Sequence, residues 1–192
     1  MKLELHWRGP YGAGLFPEAP EAMEGLLGAG VYLRIKRYAG GRTVAYVGQS
    51  KQVLARMDQH VSAVLGLAHV LRDESGQVVF TPALDARLRG LNDIERIAGL
   101  ALAEARRMRF YCAFCDDGFD SDFLGLVEYL LMRRLAESGS DGGAENINHP
   151  PVVEFDTEVT VESEFSALAS ANGKLLHGLI GVAPLRMEEA PG

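Results

Sequence analysis

The chain has little cysteine, no long apolar run and fewer basic than acidic residues, and each shortage closes off a class of protein. Only Cys112 and Cys115 occur in its 192 residues, forming one C-x-x-C inside Arg109-Phe110-Tyr111-Cys112-Ala113-Phe114-Cys115. A structural zinc would need a second ligand pair, and none is evident, so the stretch reads as a buried strand carrying reduced thiols. No apolar run approaches the roughly 20 residues that span a bilayer, and no basic-then-apolar leader opens the chain. No membrane partner is therefore expected, and a cytoplasmic location is the default. Lys and Arg number 19 against 26 Asp and Glu, for a net charge of −7 and a pI near 5.2. Nucleic-acid binders usually hold a basic excess, so this balance argues against tight nonspecific binding of DNA by the whole surface. Asp116–Asp122 is rich in acid but lacks the calcium-loop pattern with its terminal Glu. It reads instead as a loop and helix N-terminus. No repeat or low-complexity tract is present.

What remains is an ordinary core-forming composition, 47% hydrophobic and 23% charged, sized for one domain with elaborations. The informative stretch is 30–60. Leu33-Arg34-Ile35-Lys36-Arg37-Tyr38 alternates as a half-buried strand does. Ala39-Gly40-Gly41-Arg42 is turn chemistry, because paired glycines accept positive φ. Thr43–Val47 is β-branched and aromatic, Gly48 closes it, and Ser50 is placed to cap a helix. Val53, Leu54, Met57 and Val61 share one stripe of that helix, with Arg56 and His60 one turn apart beside it. Tyr32 and Tyr46 thus stand near an Arg/His pair and an open helix N-terminus, an arrangement suited to phosphate. Arg34, Lys36, Arg37, Arg42, Lys51 and Arg56 add a local basic cluster to an otherwise more acidic body. Such a chain binds selectively, or with a protein partner.

A second signal lies downstream. Leu124, Val127, Glu128, Leu131 and Leu135 form one helical stripe, so Glu128 is a carboxylate in an apolar seam. It requires a cation, a hydrogen-bond network or a metal as partner, with Arg133 or Arg134 the simplest candidates. Elsewhere, 2–7 alternates as a short strand, and Pro10 to Pro20 reads as loop. Glu21–Leu27 reads as a helical turn. The apolar spacing carries the helix after Ser50 to about Arg72. Gln77–Thr81 suits a brief strand, Pro82 the first turn of another helix, and Asn92 the start of a helix reaching Arg107. Residues 152–161 alternate weakly, 162–171 and 174–180 look helical, and the tail from Arg186 looks frayed.

Gly30-Val31-Tyr32, Tyr46-Val47-Gly48, the helix with Arg56 and His60, and Glu128 on the helix after the 108–115 strand together resemble the GIY-YIG nuclease family. The resemblance covers about 30–60 and 108–148. It implies an α+β fold: a small three-stranded, mainly antiparallel sheet flanked by helices. The nuclease domain would span 30–148, with a mainly helical insertion at about 62–107. Residues 1–29 would precede it as strand and loop, and 149–192 would pack on it as an extension.

The resemblance further implies a metal-dependent endonuclease hydrolysing DNA, with RNA left open. Its catalytic residues would be Tyr32, Tyr46, Arg56, His60 and Glu128, the last holding one Mg²⁺ or Mn²⁺. Gln49 occupies the place of a lysine found in some members, with Lys51 close by; these two, with Arg34 and Lys36, are the expected nucleic-acid contacts. Gly48 and either Asn146 or Asn148 would support the site. The alternative is an inactive module of the same fold that binds nucleic acid or a protein. One geometric condition applies: Tyr32 and Tyr46 share a sheet face only if opposed residue numbers sum to an even value. This predicts a five-residue connection closed by Arg37 and Thr43, or a bulge.

Overall fold

The structure is a computed structural model; it describes residues 1–83, 88, 90, 92–115, 121–137, 158–181 and 183–187. Its strands are β1 (Lys2–Tyr11), β2 (Gly30–Arg37), β3 (Thr43–Ser50), β4 (Leu71–Arg72), β5 (Val78–Phe80), β6 (Arg109–Phe114), β7 (Val159–Glu164) and β8 (Leu185–Met187). The described helices are α1 (Pro20–Glu24), α2 (Val53–Leu65), α3 (Ile94–Arg107), α4 (Ser121–Glu137) and α5 (Ser170–Ile180). The class is α+β, as expected, but the sheet is larger than three strands. Six strands lie in the order β3-β2-β6-β1-β7-β8, and β4 with β5 forms a separate ribbon. β1 is interior, antiparallel to β6 and parallel to β7, so the N-terminal segment is part of the core sheet. β7 and β8 extend the same sheet. β1 and β7 escaped the family pattern because β1 pairs with strands more than a hundred residues away along the chain, and β8 joins the sheet only through β7.

The hairpin β2–β3 meets the parity condition. Arg37 opposes Thr43, Tyr32 opposes Gly48 and Arg34 opposes Tyr46. The connection is Tyr38–Arg42, closed by the Tyr38 amide donating to the Arg42 carbonyl at 2.9 Å. Gly40 and Gly41 supply φ of 77° and 85° within it, where a side chain would be strained. β2 is not half-buried, however: every residue from Gly30 to Lys36 is buried, because helices cover both faces of the sheet.

Two apolar clusters share the sheet. On one face Val31, Leu33, Val47 and Ala113 pack with Leu124, Val127 and Leu131 of α4 and Leu176 of α5. On the other, Tyr32, Phe110 and Cys112 pack with Val53 and Met57 of α2, Ile97 and Ala101 of α3, and Phe80 of β5. The second cluster draws on the segment read as a mainly helical insertion, whose described residues include the β4–β5 ribbon and helix α3. α2 stops at Leu65, with Gly66 as its C-cap and Leu67 at φ 59°, so the helix expected to reach Arg72 is seven residues shorter and its continuation is β4. Likewise 162–171 is the end of β7 and a turn; helix begins only at Ser170. Arg186 is paired within β8.

A buried ionic cluster fastens α3 across β2. Lys36 Nζ lies 3.0 Å from Glu104 Oε2, with side-chain exposures of 3% and 0%. The Tyr38 hydroxyl donates to the same oxygen at 3.1 Å, and Arg107 reaches Oε1 at 3.5 Å. Lys36, expected to contact nucleic acid, is thus withdrawn into an internal ion pair.

Candidate active site

The even-numbered positions of β2 and β3 aim Tyr32, Arg34 and Tyr46 at Arg56 and His60 of α2. Tyr32 is fully buried and lies at the centre of the group. Its hydroxyl is 2.7 Å from His60 Nε2 and receives the Arg56 Nε–H at 3.3 Å. Burial pushes the Tyr32 phenol well above its ordinary value, nearby Tyr46 adds to this, and Arg56 and Arg34 offset it only in part. A phenol so placed keeps its proton. Tyr46 is half-buried and takes a hydrogen bond from Arg56. The Arg34 guanidinium lies over its ring, 4.8 Å from the centroid. The Tyr32 and Tyr46 rings are 6.1 Å apart, and His60 meets Tyr46 edge-on at 5.3 Å.

Gly48 makes room for this group. It sits opposite Tyr32, and a Cβ there would fall on the Tyr32 hydroxyl, 2.5 Å from Cζ and 2.8 Å from Tyr46 Cε1. The glycine of the second triplet is thus required for space.

Glu128 approaches from the opposite layer. It is half-buried among fully buried neighbours of α4, and its partners are not Arg133 or Arg134. Arg133 instead pairs with Glu137 at 3.8 Å and donates to the Arg186 carbonyl. The Glu128 carboxylate is hydrogen-bonded by the Gln49 side chain and main chain and feels the charge of Arg56. Burial nevertheless dominates and holds its carboxyl above the usual range. Tyr32, Tyr46, Arg56 and His60 are therefore linked by direct contacts, while Glu128 is tied to the hairpin through Gln49 and lies within electrostatic reach of Arg56.

Several expectations change. Gln49 is the hydrogen-bond partner of Glu128, a role readable from its odd parity, which puts it on the face that α4 covers. Arg34 is 3% exposed and donates to His60 Nδ1 at 2.8 Å, so it supports the site and cannot line a basic groove. Lys51 is exposed at the end of the hairpin and keeps the expected accessibility. Ser50 remains in the strand, and its hydroxyl serves Gln52; α2 has Gln52 as N-cap with no side-chain cap. Nor is the α2 N-terminus open. The Val53 and Leu54 amides donate to the Gly28 and Leu26 carbonyls at 3.2 and 2.9 Å, so these donors are not available to a phosphate. Asn146 and Asn148, and the acidic loop from Asp116 to Asp120, lie outside the described residues. His69 was not anticipated; its ring stacks on His60 at 6.0 Å, and its separation in sequence from the strand–helix motif concealed it.

Cys112 is fully buried and unbridged, its thiol pushed well up by burial, while Cys115 is half-buried. Among the described residues, no helix is long and apolar enough to cross a membrane. Nor, among them, do three or more His, Cys, Asp or Glu side chains gather as a metal-holding group. No protein-family model, curated protein or solved structure matches the chain.

Proposed function

We propose that the chain is a metal-dependent endonuclease of the GIY-YIG type that hydrolyses DNA phosphodiester bonds. One observation carries the reading: two tyrosines of a hairpin and an Arg/His pair of the next helix are in direct contact, and a seam carboxylate from the opposite layer lies within electrostatic reach of that arginine. A partly buried Glu128 held above its usual pKa range is costly to the fold and suits a residue kept for chemistry.

The donor set fits a hard divalent cation. Mg²⁺ typically takes one or two carboxylates, keeps several waters and completes its shell with substrate phosphate oxygens. Glu128 would hold it, and Gln49 would orient the carboxylate. Bound there, the ion supplies Lewis-acid stabilisation of the leaving oxygen. Arg56 faces both tyrosines and lies within electrostatic reach of Glu128, so its guanidinium would bind the scissile phosphate and stabilise its developing charge. Tyr46 is the solvent-reaching tyrosine; with its own proton first given up to solvent, its phenolate oxygen would accept the proton of the attacking water. Arg56 hydrogen-bonds that oxygen, and the Arg34 guanidinium lies over the ring. Tyr32 and His60 are buried and hold Arg56 and Tyr46 in position.

The test is cleavage of supercoiled plasmid and of branched or single-stranded oligonucleotides in Mg²⁺ or Mn²⁺, wild type against Glu128→Ala. Cleavage lost in a folded variant is the expected result. Cleavage unchanged in Glu128→Ala refutes the site. Withdrawal of Arg34 and Lys36 from the surface favours one second reading, an inactive module of this fold that binds nucleic acid or a protein. That reading prevails if wild type cleaves nothing and binds no divalent ion.

A further inference from the structure

Arg34 belongs to neither signature triplet nor to the α2 pair, yet it is the most constrained cation near the site. It is 3% exposed in the middle of β2 and opposes Tyr46 across the hairpin. Its Nη1 is 2.8 Å from Nδ1 of His60, itself 5% exposed. A guanidinium can only donate. His60 Nδ1 must therefore present a lone pair, which puts the ring proton on Nε2. Nε2 lies 2.7 Å from the Tyr32 hydroxyl, so this N–H donates to the phenol oxygen. That oxygen also accepts the Arg56 Nε–H at 3.3 Å. Each bond fixes the sense of the next: Arg34 to His60, then His60 to Tyr32, whose oxygen accepts from both His60 and Arg56.

We propose that Arg34 is a positioning residue that locks His60 in the Nε2–H tautomer and thereby fixes the buried Tyr32 oxygen as the acceptor that holds Arg56 in place for the scissile phosphate. The functional half of this proposal rests on the nuclease reading; the tautomer does not. Without Arg34, His60 is free to place its proton on Nδ1. Nε2 then accepts from Tyr32, and the sense of the bond that steadies the Tyr32 oxygen under Arg56 is reversed. Arg34 touches no reacting atom, so its loss lowers kcat with KM little changed, by about 10- to 100-fold, the usual range for a residue that orients a functional group from behind.

The experiment reads the tautomer directly, from histidine side-chain ¹⁵N shifts and their ring-proton correlations in ¹⁵N-labelled protein. A His60→Gln sample identifies the His60 signals among the five histidines. The expected result in wild type is protonated Nε2 and unprotonated Nδ1. The tautomer is read on the wild-type protein itself, and an Nδ1–H form there overturns the proposal outright. Arg34→Met should yield a tautomer mixture, while Arg34→Lys, which still offers an N–H, should restore the Nε2–H form. An unchanged Nε2–H form in folded Arg34→Met also overturns it. Plasmid cleavage by the same samples separates the two layers. The expected tautomers with kcat reduced in Arg34→Met support the whole proposal. The expected tautomers with no wild-type cleavage on any substrate overturn the nuclease reading, and with it the role assigned to Tyr32.

Discussion

Removing the Glu104 carboxylate should cost more stability than removing it together with the ammonium it faces. Glu104→Leu leaves Lys36, with its 3% exposed side chain, and the Tyr38 hydroxyl in an interior without the oxygen that both now contact. Stranding one member of a buried pair typically costs about 3–5 kcal/mol. Lys36→Met should cost less, because Glu104 keeps the Tyr38 hydroxyl and partly exposed Arg107. Lys36→Met combined with Glu104→Leu strands no charge, and buried pairs replaced by apolar residues of similar volume are often close to neutral. The double variant should therefore recover most of what Glu104→Leu loses. Urea denaturation followed by circular dichroism reads this directly, provided the m-value stays constant across the four proteins. A 4 kcal/mol loss should also lower Tm by roughly 8–16 °C for a chain of this size. If the double variant loses the sum of the two single losses, the pair is uncoupled, and the assignment of Lys36 to the fold is wrong.

Three further outcomes follow from the same geometry. Gly48→Ala should drive Tyr32 off His60 and Arg56, costing about 1–3 kcal/mol, as overpacking usually does, and reducing cleavage; a fully stable, fully active variant would show that the ring has space it does not need. Glu128→Gln should abolish cleavage yet raise metal-free Tm at neutral pH. Burial holds the folded carboxyl above its unfolded value, so stability from the protonated form is present below an ordinary pKa of about 4.3 and lost as pH rises through the raised one. The advantage of the amide should thus shrink toward acid, and equal Tm values at neutral pH would refute it. With a thiol reagent, the folded chain should show one readily reacting cysteine, Cys115, and a second only on unfolding, because Cys112 is fully buried and its thiolate disfavoured. Equal native rates for both would contradict the placement of β6.

The hairpin and its helix were legible because their determinants are local. The glycine pair set the turn, the alternation set two strands, and parity set which side chains could meet. Glu128 was legible as an anomaly, a charge in an apolar stripe. The class of its partner, a hydrogen-bond network among the alternatives, was legible, but Gln49 itself was not, since sequence spacing sees one helix and not the strand packed beneath it. Arg34 and Lys36 looked like a surface stripe because alternation shows that a strand has two faces, not that both are covered. The insertion concealed that cover. The Leu71–Phe80 ribbon and α3 lie over the even-numbered face, and Glu104, placed among small apolar residues, was the available sign that a buried cation opposed it. The sheet order required contacts between residues at opposite ends of the chain, which no local pattern records.

The position of β3 explains how the site can draw on both layers. A sheet separates the two cores, so side chains from α2 and α4 meet only where the sheet ends. β3 is that end: it pairs with β2 on one side and, among the described residues, has no strand on the other. An edge strand keeps a row of main-chain donors for partners outside the sheet, and the Gln49 amide donates to Glu128. Arg56 comes from the even-numbered side and feels the same carboxylate. The same edge gives Tyr46 its partial exposure, while Tyr32, one strand further in, is sealed. Two tyrosines on one face therefore receive different environments from a single strand step. The outer phenol reaches solvent and can exchange a proton with it. The inner one is closed off and can only hold its neighbours in place. Were β3 covered by a further strand, Arg56 and Glu128 would be separated and the group would fall apart.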